Sequence, residues 1–323
     1  MGNILYKFLY PVLLHKAAFK GYYRLAKVLL KNEGIQVNQV NRSGQTPLFV
    51  ATINGHEKIV SLLLTNEEIQ VNQGDNYGTP LDSATYYGHH KVVKMLLSRE
   101  EIQVNKVNEN GETPLFVAVK KGNKEVTDLL LEREDIRVNE ADQKGWTPLI
   151  YAAFKGYHNI VNSLLENERI EVNLANKEDG TPLVWAIFQG YDKVVKLLLE
   201  NEAIQVNRAD EHGETPLRFA AREGYGKIVE MLLEKDDIQV NKADYTGATP
   251  LYIAAREGHE QVVKTLLKKH GIEVNKADNA GDTPIAVAAH LRHGKIVDLL
   301  LGTDEIRAVG WDGWRPVQLQ HNK

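Results

Sequence analysis

The chain has 323 residues, 43% hydrophobic and 25% charged, with 39 basic against 43 acidic side chains and a net charge of −4. That balance leaves no basic footprint for nucleic acid and no electrostatic hold on an anionic membrane surface. The absence of cysteine excludes disulfides, thiolate nucleophiles and cysteine-ligated zinc, and it favours an intracellular setting, cytoplasmic or nuclear.

At the N-terminus, the apolar run Ile4–Leu14 is broken by Lys7, is too short to cross a bilayer and lacks a small-residue cleavage site. Met1-Gly2 opens like a myristoylation signal, but Tyr6 stands where that signal needs Ser or Thr. From there a repeat takes over. Pro47, Pro80, Pro114, Pro148, Pro182, Pro216, Pro250 and Pro284 each follow a threonine, spaced 33 residues once and then 34 six times. Counting back from Pro47 reaches Leu13, and Trp314-Arg315-Pro316-Val317 is a degraded further copy, so the pattern predicts nine helix-pair units and a stub.

Within each unit the columns predict the local structure. The threonine is an N-cap and the proline takes the first helical position, where its missing donor costs nothing. Four residues past the proline an alanine recurs in all nine units, from Ala17 to Ala288, small enough to let neighbouring helices approach closely. A glycine (Gly21, Gly55, Gly88, Gly122, Gly156, Gly190, Gly224, Gly258) then ends this short helix in a left-handed conformation. A second helix follows, with a stripe such as Ile160, Val161, Leu164, Leu165 at helical spacing. The segment I-x-V-N, as in Ile136–Asn139, reads as a short extended stretch leading into a D-x-x-G hairpin turn. One unit is too small to bury its own apolar stripe, so stacking must supply the core.

The pattern G-x-T-P-L-x-x-A-A-x-x-G-H…V-V-x-x-L-L…V-N resembles the ankyrin repeat, over about residues 10–318 and in eight strong copies. The resemblance is nearest to the long arrays of fungal and other eukaryotic proteins. It implies an all-α repeat solenoid of stacked helix–loop–helix units with short β-hairpin connections. It also implies a protein ligand held on the concave face, with no reaction attached to the repeat. The expected organisation is a single solenoid over 1–323: an N-terminal capping unit (1–42), regular repeats (43–307) and a degenerate, irregular cap (308–323).

Several units depart from the pattern. Repeat one has Val12-Leu13 for Thr-Pro. Repeat three is one residue short before Thr79 and carries Asp82-Ser83 where its neighbours have apolar pairs. Repeat six has Asp179 in the turn-glycine column and Gly180 one place later. Repeat nine has Arg292 in place of the helix-ending glycine. A left-handed arginine costs roughly 1–2 kcal/mol, so the helix is expected to run on to Gly294.

Candidate chemistry dissolves into the repeat. The acid pairs Glu67-Glu68, Glu100-Glu101, Glu134-Asp135 and Asp236-Asp237 recur in one column after the second helix, which marks a solvated loop and not a catalytic dyad. His290 and His293 have a zinc-compatible spacing but no third ligand in sequence. There is no phosphate loop and no off-column nucleophile. No enzyme activity, cofactor or metal is expected, and the chain reads as a monomer.

What remains is decoration at variable positions: the residue before the threonine and the pair before the helix-ending glycine. Tyr86, Tyr87, Trp146, Phe154 and Phe188 are expected on one surface across repeats three to six, with Lys120, Lys121 and Lys155 among them and Arg222 and Arg256 continuing it. Repeat stacking does not demand a ring at Trp146, and aromatics are favoured interface anchors. The expected function is a non-enzymatic protein-interaction scaffold. The alternative is a regulatory or recognition arm of a larger multidomain enzyme or receptor, which the apolar first unit favours mildly.

Overall fold

A computed structural model describes residues 2–32, 34–75 and 78–309 of the chain. The expected cap lies outside them from residue 310 onward. Among the described residues are 19 helices, nine pairs and a final short helix, Asp304–Val309. All eight Thr-Pro starts are seen in atomic detail as N-caps: Thr46 Oγ1, for example, accepts from the Phe49 N–H at 3.1 Å, and Thr147 Oγ1 from the Ile150 N–H at 3.2 Å. The alanine column from Ala17 to Ala288 is fully buried in all nine repeats. The second helices bury their stripes, as in Ile59, Val60 and Leu63.

The helices assemble into two compact bodies. The first comprises Met1–Ala152 with Tyr157–Glu171, and the second Ala153–Gly156 with Val172–Lys323. Within each, first helices stack on first helices and second helices on second helices, so every unit uses its neighbour as core.

Three expectations fail. The first helix of repeat one spans Gly2–Lys20 with Pro11 inside it, and so begins well before the Leu13 register. No Thr-Pro step is present there to set a start. Secondly, the connections hold no strands among the described residues. Their only bridge is the isolated pair Asp75–Gly78. Each tip closes on itself, as where the Asn108 N–H donates to the Glu112 carbonyl oxygen (3.0 Å) and the Gly111 N–H to that of Asn108 (3.0 Å). Adjacent tips share single bonds such as Tyr245 N–H to the His212 carbonyl oxygen (3.1 Å), too few for a ladder. The I-x-V-N segment is likewise a turn whose Ile and Val are both buried, as at Ile102 and Val104. Thirdly, Arg292 sits at φ 64° after a helix that ends at His290, in an ordinary turn. Stacking evidently outweighs the strain, since His293 just beyond it donates from Nε2 to the Arg256 carbonyl oxygen at 3.0 Å. Replacing Arg292 by glycine should therefore stabilise the protein by about 1 kcal/mol, read as a higher unfolding midpoint in urea.

The asparagine of I-x-V-N does work that the sequence does not announce. Asn173 Nδ2 donates to the Ala203 carbonyl oxygen (2.7 Å) while its Oδ1 accepts the Gln205 N–H (2.9 Å), both one repeat further on. Asn38, Asn72, Asn105, Asn139, Asn207 and Asn241 repeat the same two bonds. Asparagine alone offers a donor and an acceptor at this length. The acid-pair loops are thus stitched by backbone: the Glu68, Glu101, Asp135 and Asp237 carbonyl oxygens are among the acceptors. After Asn275 the equivalent segment is helical.

Candidate functional site

The variable positions fall on the first helices and the turn tips, and their surroundings differ between the two bodies. In the first body, Tyr86 and Tyr87 close the first helix of repeat three, 52% and 54% exposed, their rings edge to face at 5.1 Å. Lys121 brings its ammonium to 3.5 Å from the Tyr86 ring centroid, a close cation–π contact. Lys120 pairs with Glu112, a carboxylate only 6% exposed that also accepts from Asn108 Nδ2 at 3.0 Å. Trp146 is half-buried and packs edge-on against Tyr151 at 6.1 Å, which in turn meets Phe116 at 5.5 Å.

In the second body Phe154 is half-buried, edge-on to Trp185 at 5.5 Å, and Trp185 is edge-on to Phe188 at 5.9 Å. Lys155 lies 4.9 Å from the Phe154 centroid, and Phe188 is 46% exposed. Arg222 is held by Glu214 (3.0 Å) and Glu223 (3.0 Å) and stacks on Phe219 at 4.7 Å, while Arg256 is held by Glu257 at 2.8 Å. Both arginines are therefore neutralised by their own chain.

Of the five expected rings, Tyr86, Tyr87 and Phe188 present the most surface. Trp146 and Phe154 lean on Tyr151 and Trp185, which come one residue before the alanine column. That column otherwise carries Lys, Val, Ser, Phe or Ile, so Tyr151 and Trp185, its largest side chains, are the available signal. Gly180 explains the second: a Cβ there would stand 2.2 Å from Trp185 Nε1, so the missing side chain before Thr181 makes room for the tryptophan. Where repeat five has its large ring before the threonine, repeat six has it after.

Two residues after the proline, another column carries unexpected charge. Arg218, 5% exposed, bonds Glu214 on its own repeat and Asp244 on the next at 2.5 Å. Burial pushes the Asp244 carboxyl up, but bonds from Thr246 and the Ala248 N–H, with the charge of Arg218, outweigh it and hold it below its ordinary value. Tyr252 repeats the arrangement one unit later: burial and a hydrogen bond to Asp278 push its hydroxyl up to about 12. In repeat three the same column carries Asp82. Its Oδ2 caps the helix, accepting from the Thr79 N–H (2.7 Å) and hydroxyl (2.8 Å). Its Oδ1 is buried without a partner. Burial raises this carboxyl, against the Thr79 bonds and the charge of Lys106.

Among the described residues no cluster of three or more acids and histidines is placed to hold a metal. No helix there is long and apolar enough to cross a membrane.

The chain matches a family model described as "Ankyrin repeats (3 copies)" over residues 14–108, 100–176, 169–244 and 237–308. No curated protein sequence matches it. Among solved structures, it resembles the ankyrin repeat domain of Bcl-3, a member of the IkappaB protein family, at 25% identity and a TM-score of 0.61, covering 68% of this chain and 98% of that one. It also resembles EF0377, an ankyrin repeat protein, at 28% identity and a TM-score of 0.56, covering 59% and 97% respectively.

Proposed function

The chain belongs to the ankyrin-repeat family, and from that premise we propose that it is a non-enzymatic scaffold whose first helices and turn tips, the concave face of the family, capture a protein partner. Repeats of this family are generally protein-interaction modules. The observation that carries the reading is the exposure of Tyr86, Tyr87 and Phe188 at positions the repeat leaves free. Exposed rings lose area to water with few rotatable bonds to freeze, which makes them efficient anchors. Lys121 and Lys155, each set against one of the rings, add long-range attraction and orientation.

Tyr86→Ala with Tyr87→Ala, and separately Phe188→Ala, should each weaken capture of a partner identified with the wild-type chain by about 30-fold or more. Their unfolding free energies should stay within about 0.5 kcal/mol of wild type. Val28→Ala, on a second helix and 67% exposed, is the control. Undiminished capture by all the ring variants would remove this surface from consideration. Trp146→Ala with Phe154→Ala is a poorer probe, because both rings are half-buried against Tyr151 and Trp185 and their loss should lower stability as well.

A further inference from the structure

In repeats seven and eight the third residue of the first helix is a donor, Arg218 or Tyr252, and it gives its hydrogen bond to the aspartate of the following turn, Asp244 or Asp278. In repeat three the polarity is reversed. Asp82 is an acceptor, and the following turn offers Asn108, whose Nδ2 donates to Glu112. The fold has therefore built the acceptor half of this pairing and no donor half, leaving Asp82 Oδ1 buried and unpartnered. An unmet buried acceptor is costly, and more so when charged, so a donor brought from outside has an advantage here over one offered to a satisfied surface.

Asp82 lines a cavity of about 660 Å³, together with Ser83, Tyr86, Tyr87, Glu112 and Lys121 among others. Lys121 already shows that the Tyr86 ring accepts a cation. We propose that this cavity receives the guanidinium of an arginine side chain presented by the protein partner, with Asp82 Oδ1 as its acceptor and the Tyr86 ring as its platform. The proposal rests on the protein-binding reading above and adds the chemistry of what is bound. A guanidinium fits better than an ammonium, since its planar fork can serve a carboxylate and its face can lie on a ring at the same time. On entry it displaces the Lys121 ammonium from the Tyr86 ring. Lys121 thus competes with the ligand.

The test uses N-acetyl-arginine methylamide and its neutral isostere N-acetyl-citrulline methylamide, titrated into the full chain while the amide signals of Ser83, Tyr86 and Tyr87 are followed. Arginine should give saturable shifts, with citrulline at least ten-fold weaker. Asp82→Asn should reduce arginine binding ten-fold or more, and Lys121→Ala should tighten it several-fold. Asparagine keeps an oxygen to cap Thr79, and unchanged helical circular dichroism would show that Asp82→Asn still folds. Should it not fold, Lys121→Ala and the citrulline comparison still decide. Equal binding of the two probes, or arginine binding that ignores both substitutions, overturns the proposal. Partner capture that depends on Tyr86 and Tyr87 but survives Asp82→Asn sinks the arginine slot and leaves the scaffold standing. Arginine binding without any partner capture does the reverse.

Discussion

Arg218→Met should destabilise the second body by about 3–5 kcal/mol, the cost of leaving a buried carboxylate without its counter-charge. Arg218 and Asp244 are 5% and 8% exposed and 2.5 Å apart, so water cannot take over for the missing guanidinium. Methionine fills most of the space, so the effect is electrostatic and not a cavity. Adding Asp244→Asn should recover at least half of the loss, because asparagine keeps the oxygen that accepts from the Thr246 and Ala248 N–H groups (2.8 and 3.0 Å) while shedding the charge. Asn108 and Asn176 already fill that turn column in other repeats. The sign of the pH dependence follows from the depressed Asp244 carboxyl. Its contribution is complete above the ordinary carboxylate range and is lost as pH falls through the lowered folded-state value. Urea unfolding of the single and double variants from pH 7 downward measures both. A single-variant loss under 1 kcal/mol would show the pair to be dispensable.

Phe116→Ala should cost the first body a comparable 3–5 kcal/mol, for a different reason. The ring is 1% exposed, and its removal opens a void that a rigid stack of small helices closes poorly. Tyr151 loses its edge-on partner at 5.5 Å, and Trp146 leans on Tyr151 in turn. The loss should therefore reach the variable surface, as a change in Trp146 emission, together with a fall in amide-exchange protection at Val117 and Lys121, whose N–H groups are bonded within this helix. Intact protection would mean that the cavity collapses without penalty. Phe116 shares its column with Arg218 and Asp82, so one position of the frame supplies core in one repeat, an ion pair in another and an unmatched acceptor in a third.

That variation explains what could be read from the chain alone. Threonine, proline, alanine and glycine each meet a local steric or hydrogen-bonding demand that is the same in every copy, and the helix pairs followed directly. The tips were misjudged because Ile and Val two apart look the same in a strand and in a tight turn that buries both. Arg292 departs from expectation because the neighbouring repeat, and not the local cost of one left-handed residue, fixes the turn. Exposure of the decorating rings depended on partners in other columns: Tyr151 and Trp185 half-cover Trp146 and Phe154, whereas Tyr86 and Phe188 remain more open. Asp82 was visible as an off-pattern acid, but its missing donor shows only when Arg218, Tyr252 and the turns they reach are compared in space.

The asparagine relay also decides which edits of the chain pass unnoticed. Removing residues 174–207 would bring Asp237 and Gln239 to the separations from Asn173 that Ala203 and Gln205 have now, and the amide would find the same carbonyl and the same N–H waiting. A cut that is not a whole number of modules leaves that amide facing the wrong peptide. Gain or loss of material is therefore silent only in whole modules, and the grammar that enforces this is written in one side chain per module.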